Sequence, residues 1–133
     1  SDYYFKRSIV LITEINKKEV VGLIINKELD YNLNDIDSSV NEKKIKLFSG
    51  GPVNQDDLFF IHNEPNIIEN SRLCKDNLYF GGDYDKLIKM INKKVFDWKN
   101  KVKFFSGYCG WTIEQLNEEI KEGSWIIETK KKN

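Results

Sequence analysis

The chain has little of what cross-links and metal sites require. Its 133 residues include two cysteines and one histidine. Cys74 and Cys109 lie far apart in the sequence and in no CxxC or Cys/His spacing, so neither a zinc site nor a thioredoxin-like motif is predicted. His62 alone cannot build a metal site. We therefore expect no cofactor and two reduced, unreactive thiols, with a disulfide between them left open at this stage.

Surplus charge and long apolar runs are also lacking. The chain carries 21 Lys and Arg against 21 Asp and Glu, whereas a nucleic-acid module needs an excess of cations on one face. The longest apolar runs, at residues 9–12 and 22–25, are far shorter than the ~20 residues that cross a bilayer. No secretory signal is recognisable. These features favour a cytoplasmic protein, with neither a membrane nor directly bound nucleic acid among its expected partners.

The overall composition is that of a globular domain. Hydrophobic residues make up 40% of the chain and charged residues 32%. A chain of this length can bury enough surface to fold without cross-links. No linker, repeat or low-complexity tract divides it, so we expect residues 1–133 to form a single domain.

Short apolar segments alternate with turn signals along the chain. Residues 8–15 and 19–26 predict two buried strands joined by a tight hairpin. Further strands are predicted at residues 44–49, 58–62, 71–74, 78–80, 101–106 and 124–129. Because hairpins and separated strands dominate over strict β–α–β repetition, the predicted class is α+β with a mixed sheet.

Three helices are predicted from caps and helical spacing. A short one follows the cap residue Asn32. Residues 112–115 form a capping box for the last helix, and Gly123 ends it. Asp83 caps the middle helix, whose predicted buried face consists of Tyr84, Leu87, Ile88, Ile91 and Val95.

Several glycine- and aromatic-rich stretches resemble, in their order and spacing, the YqgE/AlgH family of bacterial proteins. The resemblance covers nearly the whole chain. Its stretches are residues 5–11 (FKRSIVL), 22–26 (GLIIN), 50–53 (GGPV), 60–62 (FIH), 79–83 (YFGGD) and 107–111 (GYCGW), followed by Gln115, Leu116, Glu118, Glu119 and Trp125.

The resemblance implies an α+β fold in which a mixed sheet, partly closed like a small barrel, is surrounded by helices. It also implies a bacterial, cytoplasmic protein often labelled a transcriptional regulator, with no established enzymatic activity. Because the charge is balanced and no recognition helix stands out, we expect any regulatory role to be indirect. The family usually carries a further strand before residue 5 and a longer C-terminal tail, and we expect both to be shortened here.

The family motifs and turn positions together suggest a binding site. We expect a cleft for a small ligand or a protein segment, bordered by Arg7, Asn26, Gly50, Gly51, Pro52, His62, Tyr108 and Trp111. Purely structural roles for the same residues stay open as alternatives to this cleft. The glycines equally suit tight turns, His62 equally suits hydrogen bonding to backbone, and Trp111 equally suits a hydrophobic staple with Leu116.

Two other functions also stay open. A nucleophilic enzyme would need a Cys109 thiolate within reach of the His62 imidazole. A direct DNA-binding regulator would need the lysines of residues 93–103 and 130–132 to form one patch. Residues 81–83, before the middle helix, suggest an anion site, but Asp83 would repel phosphate, so capping is the expected role.

Overall fold

A computed structural model describes residues 8–123, which form eight strands and three helices. None of these helices is long and apolar enough to cross a membrane. The strands are β1 (Val10–Ile15), β2 (Glu19–Ile24), β3 (Glu28–Asn32), β4 (Lys46–Ser49), β5 (Val53–His62), β6 (Arg72–Lys75), β7 (Leu78–Phe80) and β8 (Val102–Thr112). The helices are α1 (Leu33–Ile36), α2 (Tyr84–Asn92) and α3 (Ile113–Lys121).

The strands form one mixed, nearly closed sheet. Its main path is β1-β2-β8-β5-β7-β6, and β4 lies parallel to the first half of β8 with β3 on its outer side. The two end strands approach each other: the Arg72 guanidinium on β6 lies 3.2 Å from the Glu14 carboxylate and 3.5 Å from the Thr13 carbonyl oxygen on β1. The α+β class and the barrel-like sheet that the resemblance implied are therefore confirmed.

The central strand β8 supplies side chains to both faces of the sheet. Phe105 and Tyr108 pack into one apolar cluster with Leu23 and Ile61, whereas Phe104 packs beneath α2 and Cys109 packs towards α3. Strict alternation would place residues 105 and 108 on opposite faces. Gly107 has φ +76°, and this left-handed residue acts as a bulge that reverses the alternation.

The predicted caps begin the two longer helices. The Asp83 carboxylate accepts a hydrogen bond from the Lys86 N–H at 3.1 Å, and the Thr112 hydroxyl accepts one from the Gln115 N–H at 3.0 Å. Helix α2 buries Leu87, Ile88 and Ile91 against the sheet. Tyr84 is partly buried against the same core. One predicted member of that face is wrong: Val95 lies beyond the end of α2 and is 72% exposed.

The strand predictions differ from the structure at a few places. Strand β3 was not predicted, because it is only five residues long, contains just two apolar residues, Leu29 and Tyr31, and pairs along one edge with β4. Strand β5 begins at Val53 rather than at residue 58, and β8 continues through Gly107 to Thr112. The predicted strand at residues 124–129 and the basic tail lie outside the described residues.

Candidate functional site

A groove lies where β7 leaves the sheet. Strand β7 pairs with β5 only at Ile61 and His62, after which the chain turns away through two glycines into α2. The position beside the earlier part of β5 is left open within residues 8–123. The resulting groove has a volume of about 420 Å³ and is lined by Asp56, Asp57, Leu58, Phe59, Phe60, Phe80, Gly81, Gly82 and Tyr84.

The open edge of β5 presents backbone hydrogen-bonding groups to this groove. The Gly81 N–H donates to the Phe60 carbonyl at 2.8 Å, so the peptide groups of Phe60 point away from β8. Peptide groups two residues apart point the same way, which gives Leu58 the same direction. Ser106 lies opposite Leu58 on β8. Its carbonyl accepts a hydrogen bond from the Gly50 N–H, on the side of β8 that faces away from β5. Both observations direct the N–H and C=O of Leu58 into the groove.

His62 holds in place one wall of the groove, which Gly81 and Gly82 form. Its Nδ1 accepts from the Glu64 N–H at 3.1 Å, so the ring hydrogen lies on Nε2, which donates to the Gly81 carbonyl at 2.9 Å. The side chain is 1% exposed and stacks on Tyr79. Burial lowers the pKa of His62 below its ordinary value, with smaller opposing effects from Gly81 and Glu64. The imidazole is therefore a neutral supporting group and does not reach the groove as a ligand.

The second glycine of the wall is packed against backbone. A Cβ on Gly82 would lie 2.7 Å from the Glu69 carbonyl oxygen, and its φ is +132°. The neighbouring Asp83 N–H donates to the same Glu69 carbonyl at 2.9 Å. Gly81 differs, because a Cβ there would meet nothing within 4 Å. Of the two wall glycines, only Gly81 has room for a Cβ.

Aromatic rings form the apolar surface of the groove. Phe59 stacks with Phe80 at 6.1 Å between ring centroids and meets Tyr108 edge to face at 5.6 Å. Tyr84 is held in place, since its hydroxyl donates to the Asp37 carboxylate at 2.6 Å. Burial, with that hydrogen bond, raises the pKa of Tyr84 well above its ordinary value. The rings are thus positioned before any ligand arrives.

The charge of the groove is negative. Asp56 and Asp57 are exposed, and neither belongs to an ion pair among the described residues. The nearest cation to the aromatic wall is Arg72, whose guanidinium carbon lies 5.3 Å from the Phe80 ring centroid. That guanidinium is already paired with Glu14. The two carboxylates are the groove's uncompensated charges.

Three residues of the predicted cleft come together, at a crossing of two backbones. A Cβ on Gly51 would overlap the Tyr108 carbonyl group, and one on Gly50 would overlap the Gly107 carbonyl oxygen and lie 2.8 Å from Leu23 Cδ2. These glycines therefore permit close packing of the segment after β4 against β8. The space between them is filled by the chain itself.

The other predicted residues have different surroundings. The Asn26 side chain accepts a hydrogen bond from the Ile9 N–H at 2.8 Å. Pro52 is exposed. Trp111 is 3% exposed, and its indole N–H donates to Glu119 at 3.2 Å. His62 pairs with Val102, six residues before Tyr108 on β8, or about 20 Å along the strand. Arg7 lies outside the described residues. The eight-residue cleft stays a prediction.

The thiol and imidazole do not form a catalytic pair. Cys109 is seven residues from the His62 partner on β8, again more than about 20 Å away. Its thiol is 1% exposed and donates to the Gly50 carbonyl at 3.5 Å, and burial raises its pKa to about 12. Both cysteines are free. Within residues 8–123, no three His, Cys, Asp or Glu side chains are grouped to hold a metal ion.

Sequence reasoning missed the groove because three separate segments build it. Residues 81–83 were correctly interpreted as a helix start, but the consequence of β7 ending there depends on its register against β5. A usable signal was present: a short strand followed by Gly81-Gly82, and two acidic residues just before an apolar strand.

Comparison with known proteins identifies relatives along the whole chain. The AlgH-like family model matches residues 1–133. A UPF0301 protein of Parabacteroides distasonis is 43% identical over 129 residues, covering 95% of this chain and 64% of that protein. A UPF0301 protein of Cytophaga hutchinsonii is 38% identical over 127 residues, covering 95% of this chain and 69% of that protein. This chain thus spans 64% and 69% of the length of these two relatives.

Solved structures share the fold. The solution structure of the AlgH protein from Pseudomonas aeruginosa superposes with a TM-score of 0.74 at 22% identity, covering 95% of this chain and 69% of that one. A crystal structure of a Corynebacterium diphtheriae protein gives a TM-score of 0.67 at 21% identity, covering 90% of this chain and 64% of that one. With the family model matching from end to end, the chain belongs to the AlgH-like family.

Proposed function

We propose that this protein is a binding module, and that it holds an extended segment of a partner protein in the groove beside β5. The observation that carries the proposal is the open edge of β5 at Leu58, whose N–H and C=O point into a groove of about 420 Å³. Extended peptides bind sheet edges by continuing the ladder of backbone hydrogen bonds. The volume lies within the range of about 300–1,000 Å³ typical of ligand sites.

The form of the groove supports a peptide over a compact small molecule. A strand placed in line with β7 would lie beside Leu58, in the position that β7 leaves at Gly81. Its side chains would meet Phe59 and Phe80 on one face of the sheet and Tyr84 on the other. The backbone would supply affinity and the aromatic rings would supply side-chain preference.

This proposal gives the protein a place in regulation without DNA contact. An acidic groove repels phosphate, and phosphate contacts dominate nucleic-acid affinity. Any effect on transcription would then pass through the bound partner. We also propose a cytoplasmic location, which the free thiols of Cys74 and Cys109 support because disulfides are rare in that compartment.

The experiment is a selection of displayed random peptides on the purified protein, followed by affinity measurement with fluorescently labelled peptides. The groove variant is Gly81→Asn, which adds a side chain where a Cβ meets nothing within 4 Å. Asparagine tolerates the left-handed φ of +70° at this position, so the variant should fold.

The expected result is a set of peptides that bind the wild-type chain and lose at least tenfold in affinity for Gly81→Asn, about 1.4 kcal/mol. Gly110→Ala is the matched control, because that Cβ would lie 3.7 Å from Tyr108 and away from the groove residues. Peptides that bind both variants equally, or a selection that yields no binder, would contradict the proposal.

A further inference from the structure

The charge of the groove indicates what kind of segment it takes. Asp56 and Asp57 line one part of the groove, next to Leu58, and no cationic side chain lines it. Within residues 8–123, the ion pairs join Lys46 to Glu28, Arg72 to Glu14 and Lys86 to Glu69, so none neutralises these two carboxylates.

From this we infer that the bound segment is a basic β-strand: an extended stretch of a partner protein in which Lys or Arg lies beside apolar or aromatic residues. The inference rests on the proposed function, because it specifies the chemistry of the segment held beside β5. An acidic or phosphorylated segment would bring like charges into the groove that Asp56 and Asp57 line.

The neighbouring rings favour the same side chains. Lys and Arg have long apolar stems that can lie along phenylalanine rings while the charged group reaches a carboxylate. Cations are also attracted to aromatic faces. The chain itself makes such contacts, since Lys103 Nζ lies 3.9 Å from the Phe48 ring centroid and Arg72 lies over Phe80. A basic side chain in the groove would find an aromatic ring, that of Phe59, and two carboxylates among the lining residues.

The backbone and the side chains of the groove then have different roles in recognition. Leu58 offers one N–H and one C=O to a strand of any sequence, whereas Asp56 and Asp57 select among strands by charge. Exposed charges contribute modestly and are screened by salt. We therefore expect charge to alter affinity by several-fold and backbone access to decide whether binding occurs at all.

The test uses peptides from the display selection that bind in a Gly81→Asn-sensitive way. Each is compared with versions in which its Lys and Arg are replaced by Gln or by Glu, on the wild-type protein and on Asp56→Asn/Asp57→Asn. A second double variant, Asp30→Asn/Glu114→Gln, changes the net charge equally at exposed positions outside the groove.

Four results are expected. The selected peptides are enriched in Lys and Arg, their Gln versions bind the wild type about three- to tenfold more weakly, and that difference disappears on Asp56→Asn/Asp57→Asn but persists on the control double variant. The difference also shrinks as salt rises.

The outcomes separate this inference from the proposed function. Groove-dependent peptides without basic residues, or Glu versions that bind as well as Lys versions, would overturn the inference and leave the binding module intact. A charge preference that survives in Asp56→Asn/Asp57→Asn would also overturn it. The absence of any Gly81→Asn-sensitive peptide would overturn both.

Discussion

The Gly107→Ala substitution tests whether β8 and the segment after β4 cross as closely as the structure shows. A Cβ at residue 107 would overlap the Gly51 carbonyl oxygen and lie 3.1 Å from the Val53 carbonyl oxygen. Both contacts are with backbone, so no flexible side chain can move aside. The φ of +76° adds a conformational cost of about 1–2 kcal/mol for a residue with a Cβ.

The expected loss in the free energy of unfolding is at least about 4 kcal/mol, because a backbone clash is added to the conformational cost. At roughly 3–5 °C per kcal/mol for a domain of this size, the melting temperature should fall by at least about 12 °C. The assay is thermal and urea unfolding followed by circular dichroism.

Two matched variants separate the contributions. Gly81→Ala carries a similar φ of +70° with nothing within 4 Å, so it should lose only the conformational cost of about 1–2 kcal/mol. Gly110→Ala has neither problem, with its nearest contact at 3.7 Å, and should change stability by less than about 0.5 kcal/mol. A Gly107→Ala protein as stable as Gly81→Ala would refute the reasoning.

The other predictions concern the histidine, the buried thiol and a helix cap. Because the pKa of His62 is lowered in the folded state, stability should be complete above pH ~6.5 and fall below it by at most about 1.4 kcal/mol per pH unit until the lowered pKa is passed. His62→Gln should remove that component from urea titrations across pH, and an unchanged profile would contradict it. The Cys109 thiol should react with a maleimide only as fast as the protein unfolds, since it is buried and its pKa is raised to about 12; rapid labelling of a folded Cys74→Ser protein would contradict this. Thr112→Ala should cost about 1 kcal/mol through loss of the cap to the Gln115 N–H, and a measured loss near zero would show that the cap contributes nothing.

Local sequence signals predicted the parts of the fold that are set within a few residues. The caps at Asp83 and Thr112 and the hairpin of β1 and β2 follow from nearby hydrogen bonds and apolar spacing, and each was correctly predicted. Strand β3 was missed because its pairing with β4, distant in sequence, determines it. The reversal of faces at Gly107 was missed because only the register of β8 against its neighbours reveals a bulge.

The site depends on the same long-range information. The motif residues Gly50, Gly51 and Tyr108 were predicted to border a cleft, whereas their role in close backbone packing follows from the crossing of two distant segments. The groove arises because β7 pairs with only the last part of β5. The sequence of one strand does not show how far its neighbour will extend beside it. His62 was predicted as a cleft residue, and its hydrogen bond to the Gly81 carbonyl supports the wall of a different groove, which the sequence did not predict.

Amide hydrogen exchange at Leu58, followed by NMR with and without a selected peptide, tests the central claim most directly. In the free protein the Leu58 amide should exchange fast while the Phe59 and Ile61 amides, which point towards β8, are protected. Bound peptide should protect Leu58 in the wild type and leave it unprotected in Gly81→Asn. A Leu58 amide already protected in the free protein, or one that stays fast when peptide is bound, would contradict an open sheet edge as the binding site.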